Sequence, residues 1–209
     1  NEDALETGRD DDGKIKSLPW TYENMGLIYN KDCFEKAGIE ALPTNMDELA
    51  EACQKLKDAG ITPFAIAAKE TWVLGQVATH FMLDKSKDAA GTVEAIESGE
   101  LAFADMPNWS NFFKFLDLTV EYGPDKPLEI DWETSENMLA NGEAAMIHMG
   151  DWCQSTLDSF NPDANLAFMP FPVGSTEDDA TLLSSCNWTY IVNKDSENLD
   201  LAKEYCEYI

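Results

Sequence analysis

Residues 26–38 read Gly26-Leu27-Ile28-Tyr29-Asn30-Lys31-Asp32-Cys33-Phe34-Glu35-Lys36-Ala37-Gly38. The apolar run from Gly26 to Tyr29 predicts a strand, and Asn30-Lys31-Asp32 a turn. Cys33 to Ala37 suits a short helix closed by Gly38. A strand that turns directly into a helix is the repeating unit of α/β proteins.

Upstream, Lys14 to Pro19 reads as another short strand, preceded by a solvated, acid-rich lead-in over residues 1–13. Downstream, Asn45 caps a helix from Met46 to Ala59, and Glu48 answers it as a capping box. Met46, Leu49, Ala50, Cys53 and Leu56 form its apolar face, and Gly60 ends it. Thr62 to Ala67 is a short strand. Helices follow over 71–83 and 89–97. Asn108 caps a strong helix to Tyr122, with an expected stripe of Trp109, Phe112, Phe113, Leu116 and Val120. A helix over 133–140 leads through the Asn141-Gly142 turn to a strand, Ala144–Met149, and Gly150-Asp151 opens the next helix. Leu166–Met169 and Ser184–Val192 are extended, and Ser196 caps a final helix. Single helices between most strands predict a helix-rich α/β fold with a largely parallel sheet.

Composition narrows the function. The 209 residues carry 14 Lys and Arg against 40 Asp and Glu, a formal charge of -26, with an ordinary 44% hydrophobic content. Such a chain is globular, and its sign argues against nucleic-acid phosphates and anionic membrane surfaces. It favours neutral or cationic ligands. No apolar run approaches the roughly 18 residues of a membrane span. The chain starts at Asn1 and stops at Ile209 within a predicted helix, so it reads as a fragment, and a missing targeting signal says nothing of location.

Reactive groups point to no established chemistry. There is no G-x-S-x-G, H-E-x-x-H, P-loop or G-x-G-x-x-G. Cys33, Cys53, Cys153, Cys186 and Cys206 lack C-x-x-C spacing, leaving buried thiols, a Cys33–Cys53 disulfide or a catalytic thiol as the readings. His80 lies in an apolar helix pattern as a packed or surface residue, whereas alternation lets His148 face a cleft. Asp10-Asp11-Asp12 and Asp178-Asp179 lack calcium-loop spacing and read as solvated loops. No metal or cofactor is called for.

Tryptophans beside turns are the distinctive feature. Trp20 and Tyr22 neighbour Glu23 and Asn24. Trp72 neighbours Glu70, with Gln76 one turn on. Trp152 follows Asp151, and Trp188 follows Asn187. Trp109 starts a helix and Trp132 sits in a loop. Indole rings cover the C–H face of a sugar, and carboxylates and amides accept from its hydroxyls. For each such Trp the competing reading is ordinary packing.

Several blocks together resemble the bacterial extracellular solute-binding proteins of family 1, the sugar-binding subunits of ABC importers. Asp12-Gly13-Lys14-Ile15 with Pro19, followed by residues 26–38, is similar to the family's crossing strand and its Y-N-K-D-x-F-x-K-A-G block. Pro43-Thr44-Asn45-Met46-Asp47-Glu48-Leu49 resembles P-x-T-W-D-E-L, with Met46 in place of Trp. Leu56 to Phe64 follows. Asn141-Gly142-Glu143-Ala144-Ala145-Met146 and Gly150-Asp151-Trp152 resemble N-G-x-A-A-M…G-x-W. Phe168 to Pro172, Ile191 to Ser196 and Ala202 to Tyr205 complete the order, over residues 12–209.

The resemblance implies a periplasmic-binding-protein-like (type II) fold: two α/β lobes joined by crossing segments, clamping a sugar in the cleft between them. It implies residues 1–19 as a lead-in with a first-lobe or hinge strand, 20–172 as the second lobe, and 173–209 as the hinge return and a first-lobe strand and helix. Half the cleft would then lie outside this chain. It further implies a non-enzymatic receptor, an ABC permease as partner, and a lipoprotein on the outer face of the cytoplasmic membrane or a periplasmic protein, touching membrane only through a lipid anchor absent from this fragment. Glu23 falls where maltose-binding relatives place a sugar-contacting acid, Trp72 near their aromatic, and Trp152 on their stacking Trp. Asp151, by position, either touches ligand or caps the following helix. Asn187 and Trp188 fall in the return strand. The expected ligand-binding set is therefore Trp20, Tyr22, Glu23, Glu70, Trp72, Asp151, Trp152, Asn187 and Trp188. A glycoside hydrolase fragment and a receptor for a cationic or metal-chelate ligand are the rival readings.

Overall fold

The computed structural model describes residues 2–10 and 12–208; Asn1, Ile209 and Asp11, the middle of the acid triplet, lie outside them. In chain order the elements are α1 (Glu2–Glu6), β1 (Leu18–Asn30), α2 (Lys31–Lys36), α3 (Met46–Asp58), β2 (Thr62–Phe64), α4 (Thr71–Leu83), α5 (Ala89–Glu97), α6 (Trp109–Glu121), α7 (Trp132–Ala140), β3 (Ala144–Gly150), α8 (Gln154–Phe160), β4 (Leu166–Met169), β5 (Phe171–Pro172), β6 (Ala180–Thr181), β7 (Leu183–Tyr190) and α9 (Leu199–Tyr208). The chain divides into two compact units, residues 25–183 and residues 1–24 with 184–209.

In the larger unit the sheet runs β2-β3-β1-β4. The helical crossover between β2 and β3 leaves them parallel, with Thr62 opposite Ala144 and Phe64 opposite Met146. β1 runs against both its neighbours: Leu27 faces His148 of β3 on one side and Met169 of β4 on the other. The expected largely parallel sheet is therefore mixed. β2, β3 and β4 do share one direction, as strand–helix connections require, but β1 enters from the smaller unit and is inserted between two of them the opposite way.

β1 is also one continuous strand of 13 residues, where two short strands separated by a loop were expected. Asn30 ends it rather than forming a turn. Its Oδ1 accepts from the backbone N–H of Asp32 (3.1 Å) and Cys33 (3.2 Å), capping α2, while its Nδ2 donates to the Leu139 carbonyl. In α3 the Asn45 side chain accepts from Glu48 N–H as expected, but the Glu48 carboxylate reaches one residue further back, to Thr44 N–H and hydroxyl. Asn108 makes no such cap; its amide donates to Asp84 instead. The apolar stripe of α6 is rotated from the expected one. Phe115 is buried against Phe64, Phe81 and Phe171, whereas Phe113 and Val120 face solvent.

The core is aliphatic and aromatic, and one polar pair sits inside it. His80 of α4 and His148 of β3 are fully buried, and their Nδ1 and Nε2 lie 3.1 Å apart; His80 Nε2 meets the Thr181 hydroxyl at 3.2 Å. His148 is thus a core residue, not one facing a cleft. Burial pushes the His80 imidazole down to about 4, and burial next to His80 pushes His148 down as well. All five cysteines are free thiols, so the Cys33–Cys53 disulfide is not formed. Cys33, Cys53 and Cys153 are buried, and burial pushes Cys53 and Cys153 up to about 12.

In the smaller unit β7 pairs with β1. The expected solvated lead-in instead folds: α1 buries Ala4, and Arg9 bridges Ile15. No helix among the described residues is long and apolar enough to cross a membrane.

Two stability predictions follow from this packing. A Cβ on Gly26 would lie 2.6 Å from Leu182 Cδ2 and 2.7 Å from the Met169 carbonyl oxygen, which the β1–β4 ladder holds in place. Gly26→Ala therefore destabilises by about 1–3 kcal/mol in denaturant unfolding. The histidine pair binds protons less readily folded than unfolded, so it stabilises fully above the ordinary histidine range, and that contribution is lost on acidification from about pH 6.5 toward pH 4. A His80→Gln variant melts with a shallower loss over that window than the unsubstituted chain.

Candidate functional site

Two groups of the expected ligand residues lie in the larger unit. After β2 the buried segment Ala65–Ala67 delivers the chain to the start of α4, with Glu70 just before the helix and Trp72 in its first turn. Glu70 does not cap its own helix. One carboxylate oxygen accepts from the Trp72 indole N–H at 2.5 Å, and the other accepts from the Trp132 backbone N–H at 3.0 Å. The two indoles meet edge to face, centroids 5.5 Å apart. Trp72 remains 41% exposed, so the pair presents an aromatic surface to solvent.

The base of this pair is fastened again by charge. Lys69 Nζ lies 2.9 Å from Asp131 Oδ2, and Lys69 N–H donates to the Ile130 carbonyl. Asp131 caps α7 through Thr134, whose hydroxyl and N–H, together with Lys69, hold its carboxyl well below the usual range. Gln76, one turn after Trp72, keeps its Oε1 buried without a protein partner.

The second group sits where β3 ends. Asp151, Trp152 and Cys153 form a single 3-10 turn after Gly150. The Trp152 indole lies directly over Gly150, where an added Cβ would fall within 1.8 Å of the ring. Cys153 Sγ donates to the Gly150 carbonyl at 3.1 Å, closing the turn from beneath. Asp151 is exposed in the first position of this turn, and the following helix is preceded by Cys153 as its N-cap residue.

In the smaller unit, Trp20 of β1 packs against Tyr190 of β7 with centroids 5.5 Å apart. Asn187 Nδ2 donates to Glu23 Oε2, and Ser184 Oγ donates to Asn24 Oδ1, both at 2.6 Å. Trp20, Tyr22 and Trp188 are each about half exposed or more. Glu23 and Asn187 are thus brought together as a bonded pair, and Trp20 is joined to a tyrosine.

Three residues escaped the sequence reading. Trp132 is the first residue of α7, not part of a loop, and the preceding Asp131 cap was its signal. Tyr190 was passed over as part of an extended run. Glu136 is fully buried, with neither carboxylate oxygen bonded to protein. It stands four residues after Trp132 and three before Leu139, where helical spacing calls for an apolar side chain. Burial, then the neighbouring Glu133, raises it to about 7.

Chemically, the two aromatic groups offer flat apolar faces rimmed by carboxylates and amides. Among the described residues no group of three or more His, Cys, Asp and Glu is placed to hold a metal ion. The two histidines are bonded to each other inside the core.

An uncharacterised ABC transporter extracellular-binding protein of Pyrococcus horikoshii is 30% identical over 165 residues, covering 76% of this chain and 36% of that protein. The melibiose/raffinose/stachyose-binding protein MelE of Bacillus subtilis is 23% identical, over 94% of this chain and 47% of its own. The chain thus spans about half the length, or less, of these curated relatives. A solved chitin oligosaccharide binding protein superposes with a TM-score of 0.79 at 24% identity, covering 96% of this chain and 50% of that one, which establishes the periplasmic-binding-protein-like fold. The model of the family described as "Bacterial extracellular solute-binding protein" matches residues 1–209, and the chain belongs to that family.

Proposed function

We propose that this chain is part of the extracellular receptor of an ABC importer, binding a sugar or oligosaccharide by aromatic stacking and by hydrogen bonds to carboxylates and amides. The observation that carries the reading is the Trp72–Trp132 pair, held by both oxygens of Glu70 yet open to solvent. An exposed indole fixed from behind by charged hydrogen bonds is costly packing but a rigid platform, because little rotamer freedom is left to lose on binding. Trp152, laid over Gly150, supplies a second such platform. Melibiose, raffinose and stachyose, named for a relative, belong to the ligand class such platforms suit. In this reading the receptor's second lobe, expected over residues 20–172, corresponds to the larger unit of residues 25–183, and the residues on either side are parts of the first lobe and the crossing segments. The whole protein closes about the sugar and presents that closed form to a membrane permease, without catalysing a reaction.

The test is a calorimetric and thermal-shift panel of neutral oligosaccharides, polyamines and metal ions on the full-length protein. A response to polyamines alone overturns the reading in favour of a cationic ligand, and cleavage of a labelled oligosaccharide overturns it in favour of a hydrolase. Trp72→Ala and Trp152→Ala each weaken sugar binding by about 1–3 kcal/mol. Gly150→Ala, which displaces the Trp152 ring without removing it, weakens binding in the same assay while leaving Trp72-dependent affinity intact.

A further inference from the structure

Glu136 is buried in the larger unit with both carboxylate oxygens unbonded, and the proposed function does not use it. It lies on the inner face of α7 with Ser135, Leu139 and Ala140, all buried. Both oxygens are shut away from solvent and find no protein donor. A carboxylate in that position forfeits its hydration without compensation, whereas the protonated acid gives up far less.

The groups around it are of the wrong sign to help. Glu133 faces it from the same helix, and the Cys153 thiol, on the 3-10 turn with Asp151, lies within its field. β3 and α8 also pack on α7. Their titratable side chains are His148, occupied by His80, and Asp158, which accepts from Gln154. No Lys or Arg stands among these. Ionisation therefore leaves Glu136 beside the acidic Glu133 with no cation on these elements, and the packing of α7 must open to admit water.

This helix carries one aromatic platform, and Glu136 lies close enough to act on Cys153 of the turn that carries the other. One turn before Glu136, the same helix begins with Trp132, which Glu70 ties to Trp72. On the other side, Cys153 bonds the carbonyl of Gly150, over whose Cα the Trp152 ring lies. Displacing α7 from the 3-10 turn disturbs both at once through contiguous contacts.

From this geometry we infer that Glu136 is a positioning residue whose carboxyl proton keeps the Trp132 and Trp152 platforms seated, so that affinity for saccharide falls as the solution is taken from mildly acid to mildly alkaline. The inference rests on the sugar-receptor reading for its ligand but not for its mechanism. The sign follows from the raised folded-state value: the proton is bound below about 7, so the seated form holds there and is lost as pH rises through it.

The experiment follows intrinsic tryptophan fluorescence of the full-length protein, and its affinity for a neutral oligosaccharide such as raffinose, from about pH 5.5 to about pH 8.5. The expected fluorescence transition is centred near neutrality, with a loss of affinity of about fivefold or more across it. Glu136→Gln, which keeps the shape and stays neutral, removes the transition and retains the acid-side affinity at alkaline pH. A fluorescence profile without a transition, or one that Glu136→Gln leaves unchanged, overturns the inference. Because the fluorescence readout needs no ligand, it stands apart from the receptor reading, which instead fails if no saccharide binds at any pH.

Discussion

The antiparallel insertion of β1 between β3 and β4 is the constraint on which the larger unit depends. Leu27, fully buried, touches a partner strand on either side, and Gly26 before it permits the close approach of Met169 and Leu182. Burying one such aliphatic side chain is worth about 1.5–3 kcal/mol. The position matters more than that figure, because the sheet's order is set by this strand. With β1 in place, β3 is central, and the turn that carries Asp151 and Trp152 starts from a rigid strand end. Asn30 extends the same logic, since one amide caps α2 and holds the Leu139 carbonyl at the end of α7.

The candidate site shows how a polar group can serve an apolar one. Glu70 uses both oxygens on the two tryptophans and so fixes the rings in place. Lys69 is similarly committed to Asp131. In the smaller unit, Glu23 and Asn187 satisfy each other.

Much of this was legible in residue spacing, and the exceptions have physical causes. Helices with a clear cap and a 3.6-residue stripe, α3 above all, fell where expected. Strand direction did not, because alternating hydrophobicity carries no sign and β1 arrives from another unit. The β1 stretch from Trp20 to Asn24 exposes Trp20 and Tyr22 and turns the polar Thr21 and Glu23 to its less exposed face, so its continuity was hidden. In α6 several apolar residues compete for the core, and the helix turned to place Phe115 among Phe64, Phe81 and Phe171, leaving Phe113 and Val120 outside. The candidate Trp–acid neighbours were readable as neighbours, since Glu70 and Trp72 are two residues apart. Trp132 was not, because its contact with Trp72 spans 60 residues of sequence. Glu136 violates the pattern of its own helix, and residues that break a local rule in this way are the ones a sequence reading misplaces.

The division of the chain also governs the order in which it can assemble. The larger unit is a single continuous segment, but the smaller is built from two pieces separated by all of residues 25–183. Joining those pieces while the intervening segment is still a coil costs on the order of 4–5 kcal/mol of loop-closure entropy. Once the larger unit has folded, that loop has collapsed to a compact body and most of the cost is gone. The β7–β1 pairing therefore meets a lower closure cost once residues 25–183 are folded.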